Sequence, residues 1–112
     1  MRQAILDTSF ILICVKQKID FFNYLFEEGI KPIIPLQTIS ELKCLDAELA
    51  LKILEGNKFQ TVRLPGKDAD NAIIKFAKKN PEAIVATLDV GLKKKIKNRK
   101  LVIRGKKKLE II

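Results

Sequence analysis

Four acidic residues, Asp7, Glu41, Asp70 and Asp89, are the groups in this 112-residue chain best placed to do chemistry. Three of them follow apolar runs: Ala4-Ile5-Leu6 before Asp7, Ile33-Ile34 upstream of Glu41, and Ala83-Ile84-Val85-Ala86 before Asp89. Carboxylates beyond the ends of strands in an open α/β sheet can converge on one edge, where such sheets bind ligands. Clustered carboxylates repel one another unless a cation lies between them, and oxygen-only donors suit Mg²⁺ or Mn²⁺ better than zinc. One or two such ions can activate a water and stabilise the leaving oxygen in phosphodiester cleavage. Each acid also has a plain structural role open to it. Asp7 and Asp89 could cap helices, Glu41 could be a solvated helix position, and Asp70 could sit in a first turn favoured by the helix dipole. The chain has no histidine, which excludes Ser-His-Asp and Cys-His catalysis and histidine zinc sites.

The elements that must position these acids alternate in period. Gln3–Leu6 reads as a buried strand, with Thr8 and Ser9 able to cap a helix beginning near Phe10. Asp20–Glu28 reads as a helix stopped by Gly29, and Lys31–Pro35 as a strand kept short or near an edge by its prolines. Leu36, Ile39, Leu42 and Leu45 mark one helix face, and Asp46–Glu55 a further amphipathic helix. Phe59–Leu64 predicts a peripheral strand, Asp68–Lys79 a helix, and Ala83–Thr87 a central strand. Asp89 opens a lysine-rich helix to about Lys97, followed by a core strand at Leu101–Ile103. Leu109–Ile112 is an apolar tail that either docks as a strand or is disordered. Strands separated by helices argue for a mainly parallel sheet covered on both faces.

The length fits one domain, residues 1–112. The net charge of +9 is concentrated: residues 93–108 hold ten Lys/Arg and no acid, leaving the rest at 12 basic and 13 acidic residues. Such a segment attracts polyanions, nucleic acid being the commonest, although a merely solubilising lysine surface has the same composition. It lacks the apolar face an interfacial membrane helix needs. Cys14 and Cys44 share no metal-ligand spacing and read as buried free thiols in a reducing cytoplasm, and no secretory signal is evident.

The same residues resemble the PIN domain, the metal-dependent nuclease fold of toxin ribonucleases and ribosomal-RNA-processing enzymes. The matching pieces, in order, are Ile5-Leu6-Asp7-Thr8-Ser9, Pro35 through Ser40-Glu41-Leu42, Ala69-Asp70-Asn71-Ala72-Ile73-Ile74, and Val85-Ala86-Thr87-Leu88-Asp89-Val90-Gly91-Leu92. The resemblance implies a three-layer α/β/α fold with four to five short, mainly parallel strands. It also implies metal binding by Asp7, Glu41, Asp70 and Asp89, with Ser9 and Thr87 as supporting hydroxyls. Asn71 stands where the family often has a second acid, and Leu88 where it often has a polar residue before the final Asp. Asp68 is a partial substitute for the missing acid, offset from Asp70's helix face. The close of the chain, Val102 to Leu109, resembles archaeal and eukaryotic proteins linked to small-subunit rRNA processing more than toxins of the VapC type.

The expected activity is therefore a Mg²⁺- or Mn²⁺-dependent endoribonuclease acting in rRNA processing or as a toxin. The alternative is a non-catalytic RNA-binding or assembly module of the same fold. Lys93, Lys94, Lys95, Lys97, Arg99, Arg104, Lys106 and Lys107 are the expected phosphate contacts. The expected substrate is single-stranded or loop RNA, rRNA or tRNA, and the resemblance alone separates RNA from DNA. An antitoxin, a ribosome-assembly factor or a second copy are the protein partners it suggests, and Phe21, Phe22 and Phe26 are either a dimer surface or core. A haloacid-dehalogenase-type phosphatase would need an acid at Ser9. A receiver domain would need its phosphorylated Asp at Ile33-Ile34-Pro35, so both fit worse.

Overall fold

Burial alternates along the central strands, and that alternation sorts the helices into two layers. The computed structural model describes residues 2–105 and 107–112. In chain order it contains β1 (Arg2–Leu6), α1 (Thr8–Lys16), α2 (Phe21–Glu27), β2 (Ile30–Pro35), α3 (Leu36–Cys44) and α4 (Glu48–Glu55). These are followed by β3 (Gln60–Val62), α5 (Ala69–Lys79), β4 (Ile84–Ala86), α6 (Val90–Lys95), β5 (Lys100–Arg104) and β6 (Lys108–Ile111). On one sheet face Ala4, Leu6, Ile34, Ile84, Ala86 and Leu101 pack against Phe10, Phe21, Leu25, Leu42 and Leu54 from α1–α4. On the other, Ile5, Ile33 and Val85 pack against Ala69, Ile73, Phe76 and Leu92 from α5 and α6. The result is a three-layer α/β/α arrangement, and successive side chains of β1 belong to different cores because the strand period is two.

The strands lie in the order β3-β2-β1-β4-β5-β6. All neighbouring pairs are parallel except β5 with β6. The sheet therefore has six strands where the sequence predicts four to five. The extra one is the C-terminal tail, which docks as β6, its Leu109 opposite Ile103 and Ile111 opposite Leu101. β2 lies second from the edge, near it as its prolines suggest. Pro32 sits opposite Ala4 of β1 in a stretch that β3 does not reach, because β3 pairs only with Ile33–Pro35. On that open side an absent amide costs no ladder bond.

Several helix boundaries differ from the pattern. Helix α1 starts at Thr8 rather than Phe10 because Asp7 itself is the cap, accepting from Thr8 N. α4 starts at Glu48 because Asp46 has φ +52° and turns the chain. α6 ends at Lys95, short of Lys97. Phe21 and Phe22 are core, whereas Phe26 is 82% exposed. Cys14 is buried, as expected. Cys44 is not: the last turn of α3 leaves it exposed, since Leu42 is the residue of that turn facing the core. No helix among the described residues is long and apolar enough to cross a membrane.

Candidate active site

Parallel pairing sets β1 and β4 level, with Leu6 opposite Ala86 and Asp7 N donating to Ala86 O at 2.9 Å. Asp7 and Thr87 consequently leave the sheet side by side at its carboxyl edge. Three donors hold Asp7, which is 3% exposed. Thr8 N donates to Oδ1 at 2.9 Å, while Ser9 Oγ and Thr87 Oγ1 donate to Oδ2 at 3.0 and 2.8 Å. Thr87 Oγ1 in turn accepts from Asp89 N at 3.1 Å, so one hydroxyl joins the first and last acidic segments. Asp89 caps α6, its Oδ1 accepting from Leu92 N at 3.2 Å. The capping roles of Asp7 and Asp89 and their place at a shared edge are thus compatible, because a helix N-terminus follows each strand there.

Glu41 reaches this edge from α3. Its Oε1 accepts from Thr8 Oγ1 at 2.7 Å and its Oε2 from Ala69 N at 2.8 Å, which ties α3 to the starts of α1 and α5. Asp70 stands in the first turn of α5 with no hydrogen bond recorded to its side chain among the described residues. Asp68 caps α5 by accepting from Asn71 N at 2.9 Å, so one of its oxygens is committed to the helix start. Leu88, in place of a polar residue, packs partly against the larger core.

The electrostatics agree with convergence. Burial pushes the Asp7 carboxyl up from the ordinary carboxylate range; its hydrogen bonds pull it down and the Glu41 charge adds to the rise. Asp70 is raised first by burial and then by the charges of Asp7, Asp89, Asp68 and Glu41. Among the described residues the one ion pair is the exposed Arg104–Glu110 contact at 3.1 Å, so no lysine or arginine neutralises these acids. Nor do any three acidic or cysteine side chains among the described residues stand close enough to enclose an ion as they are. Four carboxylates share one edge, three of them held by neutral donors, and the set is short of closing.

The model of the family described as PIN like domain matches residues 4–107. This chain belongs to the PIN-like domain family. Among PIN-family relatives it is 35% identical over 108 residues to the rRNA-processing protein fcf1 of Schizosaccharomyces pombe, covering 84% of this chain and 53% of that protein. The chain thus spans about half the length of the fission-yeast relative. It is 30% identical over 128 aligned positions to Ribonuclease VapC4 of Methanocaldococcus jannaschii, covering 99% of this chain and 97% of that one. A solved structure of the PIN domain endonuclease Utp24 superimposes with a TM-score of 0.84 at 28% identity, covering 97% of this chain and 90% of that chain.

The PIN topology divides the basic segment of residues 93–108. Lys93, Lys94 and Lys95 occupy the last turn of α6, which runs back from the carboxyl edge. Lys97 and Arg99 flank Asn98, whose Nδ2 donates to Ala77 O, Asn80 O and Ala83 O at the end of α5 and the approach to β4. That is the amino edge, opposite the acids. Arg104 and Lys107 lie at the β5–β6 turn, which returns to the carboxyl edge, and Lys106 lies outside the described residues.

Three contributors to the site have a local role that no single-residue pattern marks. Thr8 Oγ1 supports Glu41 across 33 positions of sequence. Gly91 leaves space for Asp89, since a Cβ there would stand 3.2 Å from Asp89 Oδ1. Gln37 holds the β3–α5 loop by donating to Leu64 O at 2.7 Å and Gly66 O at 3.1 Å. The glycine beside an acid was the one readable signal among them; the others depend on which helices meet.

Proposed function

We propose that this chain is a divalent-metal-dependent endoribonuclease that hydrolyses RNA phosphodiester bonds, its site formed by Asp7, Glu41, Asp70 and Asp89. The observation that carries the reading is a set of four carboxylates on one sheet edge with no ion pair to a cationic side chain among the described residues. Such a set is costly unless it binds a cation. The donor set fits Mg²⁺ or Mn²⁺: all ligands are oxygen, and both oxygens of Asp70 are uncommitted within the described residues. Asp7, Asp70 and Asp89 would hold the ion, and Glu41 would complete its shell or hold a second. When bound, the ion supplies charge neutralisation and activation of a water.

The chain's own residues do the positioning. Thr87 and Ser9 fix the Asp7 carboxylate, while Glu41 is aimed by Thr8 and Ala69. Hydroxyl and amide donors of this kind stabilise the ionised form of an acid without competing for its charge. An RNA substrate and a role in rRNA processing are supported by what the fission-yeast relative is named for, and a toxin-type role by the archaeal one.

Cleavage of labelled structured RNA with Mg²⁺, Mn²⁺ or EDTA tests the proposal, comparing the native chain with Asp7→Asn. The expected result is cutting that requires metal and is abolished by the substitution. The second reading, a non-catalytic RNA-binding or assembly module, draws on the absence of a closed three-ligand cluster among the described residues. It predicts no cutting, with RNA binding unchanged in Asp7→Asn.

A further inference from the structure

A groove of about 700 Å³ adjoins the acidic edge, and Glu41 belongs to both. Its walls come from the end of α3, with exposed Cys44 and Leu45, and from the β3–α5 loop, with Arg63, Leu64 and Lys67. Neither Arg63 nor Lys67 belongs to the basic segment at residues 93–108, and neither forms an ion pair among the described residues. The loop carrying them is built to hold its place. Gln37 bonds two of its carbonyls, and Gly66 has φ +136°, a conformation closed to other residues without strain. A Cβ at Gly66 would also stand 3.1 Å from Ala72 N, so the loop rests directly on the first turns of α5.

The register fixes where this groove lies. Val62 is level with Pro35, and Leu6 and Ala86 are level with each other one row earlier, so the β3–α5 loop leaves the same edge as Asp7. The β5–β6 turn with Arg104 and Lys107 leaves that edge on the opposite side of the acids. From β3 to β5 there are four inter-strand steps, about 19 Å at the usual spacing. Positive charge therefore brackets the carboxylates on both sides, and a polyanion crossing the edge meets a cation, the acids, then a cation again.

We infer that Arg63 and Lys67 form a second phosphate-gripping subsite for single-stranded RNA, seating the nucleotide next to the acids in the α3/β3–α5 groove. Leu45, 60% exposed, and Leu64 give the base of that nucleotide an apolar wall, while the two cations take its flanking phosphates. A nucleobase against aliphatic side chains is held without hydrogen-bond readout, so the subsite is sequence-tolerant. The inference rests on RNA being the ligand of this edge, as proposed above, but not on cleavage.

Cys44 provides the readout, because it lies in the groove and the other thiol, Cys14, is buried with its pKa pushed up to about 12. The experiment uses Asp70→Asn chain in Mg²⁺ with a fluorescent single-stranded RNA oligonucleotide, following anisotropy and the rate of maleimide labelling at Cys44. Saturating RNA is expected to slow Cys44 labelling severalfold. Arg63→Gln with Lys67→Gln is expected to remove that protection and to lower the slope of log affinity against log salt by about 1.4, two single-strand contacts. Lys97→Gln with Arg99→Gln leaves Cys44 protection intact. Unchanged labelling at saturation, an unchanged salt slope in the Arg63/Lys67 variant, or no RNA binding would overturn the inference. Protection in a native chain that never cuts RNA would support the groove and sink the nuclease reading alone.

Discussion

Asp70 has the least support from neighbouring donors of the four acids and feels the charge of all the others. Its folded pKa lies above its ordinary value of 3.8, as does that of Asp7. The sign follows from linkage: a raised acid contributes stability fully below its unfolded pKa, and loses it as pH rises through the folded value. Without metal, stability from these two groups therefore declines as pH rises above the ordinary carboxylate range. Asp70→Asn is expected to raise the melting temperature in EDTA at pH 7 and to flatten the decline; thermal melts at several pH values check this. Adding Mg²⁺ at pH 7 should raise the melting temperature of the native chain more than that of the variant. At this scale the sequence was informative about placement: Asp7, Glu41 and Asp89 could be named from their places after apolar runs and Asp70 from a helix's first turn, and the structure brings the four near one another. The donors that aim them could be named only in part. Ser9 and Thr87 came from the motif, but Thr8 reaches Glu41 through a contact between α1 and α3 that no local pattern encodes.

Among the elements, α6 shows how a short helix serves two ends. It has six residues, too few to be stable alone, and depends on Leu92 in the core and on its Asp89 cap. Gly91 is costly to helicity yet keeps its side of Asp89 open. Gly91→Ala should gain up to about 1 kcal/mol of helix propensity. Its Cβ crowds the carboxylate, so metal-dependent cleavage should fall roughly 10- to 100-fold, as for other groups that orient ligands. Calorimetry alongside cleavage assays separates the two, and equal cleavage would show that Asp89 does not need that space. Helix and strand identities were legible from period, because α5 and β4 have unambiguous apolar spacing. Boundaries were less so. Thr8 and Ser9 are good caps in isolation, but the strand preceding them ends at Leu6 and hands the cap position to Asp7. Cys44 looked apolar in context, but one turn of α3 faces water at that point.

Across the whole molecule, the +9 charge is less informative than where the topology sends it. A run of ten basic residues reads as one patch, but a parallel strand connection crosses the sheet, so its members go to opposite edges. Replacing Arg104 and Lys107 with Gln should weaken RNA binding and lower its salt dependence, whereas replacing Lys97 and Arg99 should change both much less. Anisotropy titrations at several salt concentrations decide this, and equal losses would mean that RNA wraps both edges. The layered architecture was readable from alternating periods, but for the tail the sequence left docking as a strand and disorder both open. An apolar tail becomes β6 only because β5 has an open edge with Leu101 and Ile103 awaiting cover. The Asp7–Thr87 hydrogen bond joins positions 80 residues apart in the chain. During synthesis, then, the amino-terminal half emerges with one acid of the pair already made and its partner segment still to be translated. The protein cannot assemble its acidic edge until the segment carrying Thr87 and Asp89 has been made, so the site is one of the last parts of the fold that a growing chain can complete.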